Sequence, residues 1–590
     1  MRFPRIVIAA PKSGSGKTLV SIALMKALSM RGKKVSAFKC GPDYIDPLFH
    51  KKILDVPSKN LDLFFSDSVT IHRLFADENT GDISIIEGVM GIFDGVAGYT
   101  DEASTYHLAS VLESPVILVV NAKGAGRSVV AEIKGFVSMD EKKLIKGVIL
   151  NNLPGTLYDA LKPQIESECG ISVLGFLPTL GELHVESRYL GLTLPDEIAD
   201  IRHSVGKAAE KLCETVNVDK IVDIAENAPD LAIRTVGSRT TLEPGVVHRV
   251  RIAVARDEAF CFYYEDNLKL LEQYGAEIVT FSPIADCALP PGIDGILLGG
   301  GYPELHVEKL EKNVSMRRAV KAAVESGMPC VAECGGFMYL HERIQTADGV
   351  FRNMVGLING DCTYKGKAVR FGYCTVTENT GDFFGGSIKA HEFHYFDSTS
   401  NGESCTAEKP VTGKSWQCCH TGKNYWWGFP HLYYPSNQLF SERFVAMCLE
   451  HKKQAGKSET LSNVSAVRNV EDSQKTPESV NTLKSHDEIS TESPSESVSR
   501  RNSAGPSKNY KFFQNRACEM FPCHQTDDPE SFNCLFCFCP LYFSGEKCGG
   551  NFKFTEKGTK SCINCTFPHK KENYDALMAK LRMFLKKTET

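Results

Sequence analysis

A chain in which an apolar strand runs straight into a glycine loop and then a helical pattern has few folds open to it. Arg5–Ala10 leads into Pro11-Lys12-Ser13-Gly14-Ser15-Gly16-Lys17-Thr18, and Lys17–Arg31 carries helical spacing. Gly14 and Gly16 let backbone N–H groups approach phosphate oxygens with no Cβ in the way. Lys17 offers a point charge to the outer phosphates, and the Thr18 hydroxyl can ligate Mg²⁺. The strict pattern wants Gly where Pro11 stands, yet the GSGKT core and its strand–loop–helix context are intact. Such a loop belongs to an open parallel sheet, where ligands bind at the strands' carboxyl ends.

The rest of the chain agrees. Ile83–Ile86, Val116–Asn121 and Gly147–Asn151 are continuous apolar runs, as expected of strands buried on both faces. A second series begins at Arg251–Ala255 and continues at Gly295–Gly299 and Pro329–Glu333. The expected class is α/β, with two doubly wound units in tandem: residues 1–200, a polar junction at 201–248, and 249–450. From Phe444 the next aromatic is Tyr510, and the Ser-, Glu- and Lys-rich stretch between predicts a disordered linker over 451–509. Eight of the 21 cysteines crowd into residues 518–565 of the remaining tail, 510–590. Cys518, Cys523, His524, Cys534, Cys537, Cys539, Cys548, Cys562, Cys565 and His569 have metal-ligand spacing, which in a reducing compartment points to zinc rather than disulfides. Lys+Arg 67 against Asp+Glu 72 gives a net charge of -5, which argues against nucleic acid held by bulk charge. No apolar run approaches membrane-spanning length, and Ile6–Ala10 is too short for a signal-peptide core, so a cytoplasmic protein is expected.

Two further segments supply acids near the phosphates. Phe38-Lys39-Cys40-Gly41-Pro42-Asp43-Tyr44-Ile45-Asp46-Pro47 suits a loop at a strand's carboxyl end. In Ile85-Ile86-Glu87-Gly88-Val89-Met90-Gly91-Ile92-Phe93-Asp94-Gly95 an acid ends an apolar strand, where a Mg²⁺ ligand sits in phosphate-loop proteins. The second unit holds different chemistry. Cys334 ends an apolar strand, Gly335 and Gly336 follow, and a helical pattern begins. This is the logic of a nucleophile elbow, and a helix N-terminus there is expected to lower the thiol pKa. The Gly335 amide, with one from Gly300 or Gly301 in Leu298-Gly299-Gly300-Gly301-Tyr302-Pro303-Glu304, could form an oxyanion hole. A thiol nucleophile needs a base. His391, His394 and His431 are the candidates, and spacing does not choose among them.

GSGKT, FKCGPDYIDP, EGVMGIFDG, LLGGGYPELH, AECGGFMYL and HEFHYF, in that order, resemble the cobyrinic acid a,c-diamide synthase family over about residues 4–450. These are glutamine-dependent amidoligases of cobalamin biosynthesis. The resemblance implies a dethiobiotin-synthetase-like phosphate-loop unit followed by a class I glutaminase. It implies Cys334 as nucleophile and His431 as its base. It assigns Gly14, Gly16, Lys17, Thr18, Asp43, Asp46, Glu87 and Asp94 to ATP, with Thr18, Asp43 and Glu87 on Mg²⁺. His391, Glu392 and His394 match the family's HEFHY segment. The implied partners are ATP, L-glutamine and cobyrinic acid, with neither nucleic acid nor membrane; a homodimer is compatible with it. The tail resembles a small cysteine-rich domain found with cobalamin biosynthesis proteins. The chain departs from the family pattern at Pro430 and Tyr433, where the family reads Tyr-x-His-x-His, and at Ser187-Arg188-Tyr189-Leu190-Gly191-Leu192, where it reads ERHLGL. Two other readings remain open. One is an amidoligase for nickel-sirohydrochlorin or hydrogenobyrinic acid. The other is a partition-type positioning ATPase with Lys12 as its signature lysine.

Overall fold

The computed structural model describes residues 1–179, 195–232 and 249–471, and in the tail 531–534, 548, 551, 553–554, 560–561 and 565–587. Its chain divides into two compact units, Met1–Thr476 and Pro477–Thr590.

The first unit opens with β1 (Arg5–Ala9), α1 (Lys17–Met30), β2 (Val35–Cys40), α2 (Ile45–Leu54), β3 (Ser58–Leu61), α3 (Ser68–Glu78) and β4 (Ile83–Glu87). It continues through α4 (Thr105–Val111), β5 (Val116–Asn121), α5 (Ser128–Met139), β6 (Ile145–Asn151), α6 (Gly155–Cys169) and β7 (Ser172–Leu177). The strands pair in parallel in the order β3-β2-β4-β1-β5-β6-β7. Both faces are covered, which is why the runs are apolar throughout: Val7 and Ala9 pack into one core and Ile6 and Ile8 into the other. β1 and β4 are neighbours, Ile8 pairing with Glu87, so the glycine loop after β1 opens beside the acid that ends β4.

Residues expected as a polar junction are helical as far as 226. α7 (Pro195–Thr215) and α8 (Val218–Glu226) bury Leu212, Val218 and Ile221 in the same core as Ile6 and Ile8. Their charged residues occupy the opposite face, so a window average reads as polar although one stripe is apolar.

The second half of this unit holds β8 (Val250–Ala255), α9 (Glu265–Gln273), β9 (Ala276–Phe281), β10 (Gly295–Leu298), α10 (Val307–Lys312), α11 (Val314–Glu325), β11 (Cys330–Glu333) and α12 (Gly335–Leu340). Next come β12 (His341–Gln345), β13 (Phe351–Asn353), β14 (Ile358–Tyr364), β15 (Arg370–Glu378), β16 (Ser387–His394) and β17 (Phe396–Ser398). The remaining elements are β18 (Cys405–Glu408), β19 (Ser415–Cys418), β20 (His420–Gly422), β21 (Tyr425–Gly428), β22 (His431–Leu432) and α13 (Leu439–Glu471). β20-β21-β11-β10-β8-β9 is a sheet parallel except at β20, with β11 inside it. β19-β18-β15-β16-β22 is antiparallel and brings β22 against β16. α13 runs past 451, where the linker expectation begins; residues 472–509 lie outside the described ones. So do Ser187–Leu192.

In the tail unit, β23 (Lys553–Phe554) pairs with β24 (Lys560–Ser561), and α14 (Tyr574–Lys587) follows. Among the described residues no helix is long and apolar enough to cross a membrane.

Candidate active site

The loop after β1 has the backbone its glycines permit. Gly14 lies at φ 76° and Gly16 at φ 98°, the left-handed region that disfavours a side chain. A Cβ on Gly16 would stand 2.1 Å from Asn151 Nδ2, and that amide donates to Ser15 O at 3.0 Å. The end of β6 therefore holds the loop from behind, a role the sequence did not advertise. Lys17 donates to Met90 O, and Lys12 lies exposed on the loop. Burial, then the neighbouring Lys39 ammonium, pulls the Lys17 pKa down to about 8.

The acids gather beside it. Thr18 Oγ1 donates to Glu87 Oε1 at 2.7 Å. Lys39, at the end of β2, reaches Glu87 Oε1 at 3.2 Å and Asp43 Oδ2 at 3.9 Å, and pairs with Asp46. His50 Nε2 meets Glu87 Oε2 at 3.1 Å. Burial disfavours the Lys39 charge, but Lys39 faces three carboxylates, and these hold it protonated above the ordinary lysine range. Burial likewise opposes the Glu87 charge, and Lys39, then His50 and Thr18, override it and keep Glu87 ionised. Asp94 Oδ2 accepts from Gly91 N at 2.8 Å and shapes the loop after β4. Asp43 and Glu87 both meet the Lys39 ammonium and the Thr18 hydroxyl meets Glu87, so oxygens of the hard kind that Mg²⁺ takes lie around that one cation. Lys39 and His50 went unrecognised as site residues; Lys39 was visible only as an unassigned cation inside FKCGPDYIDP.

The thiol centre lies in the other half of the unit. Cys334 sits at φ 46°, ψ −101° between β11 and α12, the strained turn expected of an elbow. Its N–H donates to Gly428 O at 2.8 Å, and Gly336 N donates to Gly299 O at 2.9 Å. A Cβ on Gly335 would lie 3.0 Å from Gly301 N, so the backbones at 301 and 335 lie against one another. A Cβ on Gly300 would lie 2.3 Å from His431 Cε1, which puts that imidazole against the same glycines. The helix N-terminus does not win the thiol's protonation state. Burial, then the carboxyls of Glu304 and Glu392, push the Cys334 pKa above the ordinary thiol value, and α12 is one short helix. Burial, then His391 and His394, likewise keep His431 neutral. Burial thus favours the uncharged thiol at Cys334 and the uncharged imidazole at His431.

The three histidines separate into two environments. His391 and His431 are cross-strand partners on β16 and β22 with rings stacked 4.9 Å apart. His391 Nδ1 meets Tyr264 Oη at 3.1 Å, and burial lowers its pKa to about 3. His394 lies over Phe429 at 4.0 Å with Nδ1 2.6 Å from Phe396 O, and its Nε2 stands 3.8 Å from Glu392 Oε2. His431 Nδ1 is buried with no hydrogen-bond partner among the described residues.

One contact was not anticipated. Tyr44, between Asp43 and Asp46, is buried against the glutaminase half. Its ring centroid lies 5.2 Å from His431, 5.6 Å from His391 and 5.1 Å from Phe262. Tyr44, Phe64 and Phe65 form one apolar cluster with Tyr264 and Tyr433. The loop that carries the phosphate-site acids thus touches the candidate base of the thiol site.

In the tail, Cys518, Cys523, His524, Cys537, Cys539 and Cys562 lie outside the described residues. Cys548 and Cys565 are buried and Cys534 is partly so; His569 Nδ1 meets Asn533 O at 3.1 Å, a bond metal-ligating histidines commonly make. Among the described residues no three potential ligands converge.

Three family models match the chain. Residues 6–188 match the CobQ/CobB/MinD/ParA nucleotide binding domain, 251–426 the CobB/CobQ-like glutamine amidotransferase domain, and 509–590 a cysteine-rich small domain. Cobyrinate a,c-diamide synthase of Picrophilus torridus is 39% identical over 453 residues, 76% of this chain and 99% of that relative. Those of Priestia megaterium and Clostridium acetobutylicum are 38% and 39% identical over 76% and 75% of this chain, covering 98% and 99% of their own lengths. A nucleotide-binding sheet, a cysteine elbow and relatives matched end to end agree: the chain belongs to the cobyrinate a,c-diamide synthase family of glutamine-hydrolysing ligases.

Proposed function

We propose that the enzyme amidates the a and c side-chain carboxylates of cobyrinic acid, using ATP and the amide nitrogen of glutamine. A carboxylate is a poor electrophile, and transfer of the ATP γ-phosphoryl to its oxygen makes an acyl phosphate that ammonia can attack. Gly14 to Thr18 would seat the phosphates, and Lys17 would offset charge on the outer ones. Thr18, Asp43 and Glu87 would hold Mg²⁺, whose chemistry there is neutralisation of phosphate oxygens. Lys39 and His50 keep Glu87 ionised and oriented.

At the second centre the Cys334 sulfur attacks the glutamine side-chain amide while His431 takes the thiol proton. The amides of Gly335 and Gly301 receive the developing oxyanion. The proton then passes to the leaving nitrogen, ammonia departs, and water hydrolyses the thioester.

The observation that carries this reading is the seating of Tyr44 on His431: the segment that carries Asp43 and Asp46 touches the candidate base of the thiol site. The test is protein incubated with ATP, Mg²⁺, glutamine and cobyrinic acid, with product mass measured. Gain of two amide groups is expected; gain only with nickel-sirohydrochlorin or hydrogenobyrinic acid moves the substrate to those acids. Cys334→Ala is expected to lose glutamine-dependent synthesis and retain ammonia-dependent synthesis. Loss of both rejects the division of labour.

A further inference from the structure

Phe371 on β15, Phe393 on β16, Tyr364 at the end of β14 and Tyr395 just after β16 form a row of aromatic side chains that the described fold leaves uncovered. Phe371 is 60% exposed, Phe393 46%, Tyr364 45% and Tyr395 37%. They touch one another: Phe371 and Phe393 lie 5.2 Å apart between ring centroids, Phe393 and Tyr395 5.6 Å, Tyr395 and Tyr364 6.4 Å. Single exposed apolar residues need no explanation, whereas a contiguous aromatic strip marks a surface that something covers.

The strip continues the catalytic assembly. Phe371 pairs with Phe393 in register, and the next rung on that face is Tyr373 with His391. Side chains two residues apart share a face, with a spacing of about 7 Å. Tyr373 Oη donates to Asp62 Oδ2 at 2.9 Å and would lie 3.7 Å from a Cβ on Gly41, two residues before Asp43. His391 is stacked on His431. The exposed rings therefore begin one rung from Tyr373, which stands beside Gly41 at the start of the segment holding Asp43 and Asp46.

The flank is cationic. The connection from β14 to β15 carries Lys365 and Lys367, both exposed. That connection is fixed beside the strip, because Lys365 N donates to Tyr395 O at 2.9 Å and Val369 N donates to His394 O at 2.9 Å.

We propose that this strip is the bed for the flat face of the tetrapyrrole acid, with Lys365 and Lys367 reading its peripheral carboxylates. An occupant should be broad, apolar across its face and anionic at its rim, and a corrinoid polyacid has that form. Resting on Phe371 and Phe393, it would present one rim carboxylate toward Asp43 and Lys17 and keep its other carboxylates against the lysine flank. This deepens the proposed function and rests on it.

Phe371→Ala/Phe393→Ala tests the inference, since both side chains are exposed and their loss leaves the core intact. KM for cobyrinic acid is expected to rise about tenfold, in line with two lost ring contacts. KM for ATP and glutaminase turnover should stay unchanged, and Phe371→Trp/Phe393→Tyr should restore tight binding. Lys365→Ala/Lys367→Ala should raise the same KM and reduce its dependence on salt. Wild-type turnover with an unchanged cobyrinic acid KM in the phenylalanine variant overturns the bed while leaving the function standing. An unchanged KM accompanied by a halved molar mass in light scattering gives the strip to a second copy of the chain and overturns it equally. A wild-type protein that gains no amide with any of the three acids rejects the proposed function, and the bed with it.

Discussion

Cys334 shows how a single position can combine a legible motif with an illegible electrostatic state. Its strained φ follows from Cys-Gly-Gly between a strand and a helix, and the sequence displays that pattern. Its raised pKa does not follow from the motif, because it depends first on burial and then on Glu304 and Glu392, distant in sequence. Gly300 is informative in the same way. It is glycine because His431 Cε1 occupies the space of its Cβ. Gly300→Ala is expected to displace His431 and reduce glutaminase turnover about 100-fold, the order of loss a 1 Å misplacement causes. Ammonia-dependent amidation in the same variant should be unaffected, and a parallel loss there would show a general packing defect instead.

Among the elements, the β2–α2 connection does most to join the two chemistries. Asp43 and Asp46 point toward Lys39, and Tyr44 packs on His431, so the loop faces two ways. Alternation of acid and aromatic residues was visible in FKCGPDYIDP, but nothing in it told that Tyr44 would meet a residue nearly four hundred positions away. Tyr44→Ala should lower glutamine-dependent synthesis about tenfold and leave ammonia-dependent synthesis near wild type. Equal loss by both nitrogen sources would place Tyr44 in acid binding alone. The helices over 195–226 carry a related lesson. Their apolar stripe has helical period, yet strong charge on the other face disguised it as a junction.

Across the whole molecule, the buried histidines set a pH response. His391 keeps a pKa of about 3 because burial, aided by Lys409, disfavours its charge. Below about pH 6.5 an unfolded chain takes up a proton that the folded one refuses until about pH 3. Stability therefore falls as pH drops through that window, by up to about 1.4 kcal/mol per pH unit for this one group. Urea denaturation of wild type and His391→Phe at pH 7 and pH 5 should show a smaller acid penalty in the variant. The tail matches a family model of its own, and the Picrophilus torridus relative is matched over 99% of its length by 453 aligned residues, 76% of this chain. A chain ending at Thr476 is expected to retain both glutaminase and amidation turnover, measured against the full chain. Elemental analysis is expected to find zinc in the full chain and none in the shortened one.

Local pattern alone determined the phosphate loop, the cysteine elbow, the tandem α/β class and the cysteine-rich tail, because each depends on residues within a turn or two of one another. Only the tertiary structure decided that Lys39 neutralises the acids, that Tyr44 rests on His431, and that Phe371 and Phe393 form a continuous open face. Those relations come from strand order and register, which bring together residues hundreds of positions apart, and no local spacing encodes them.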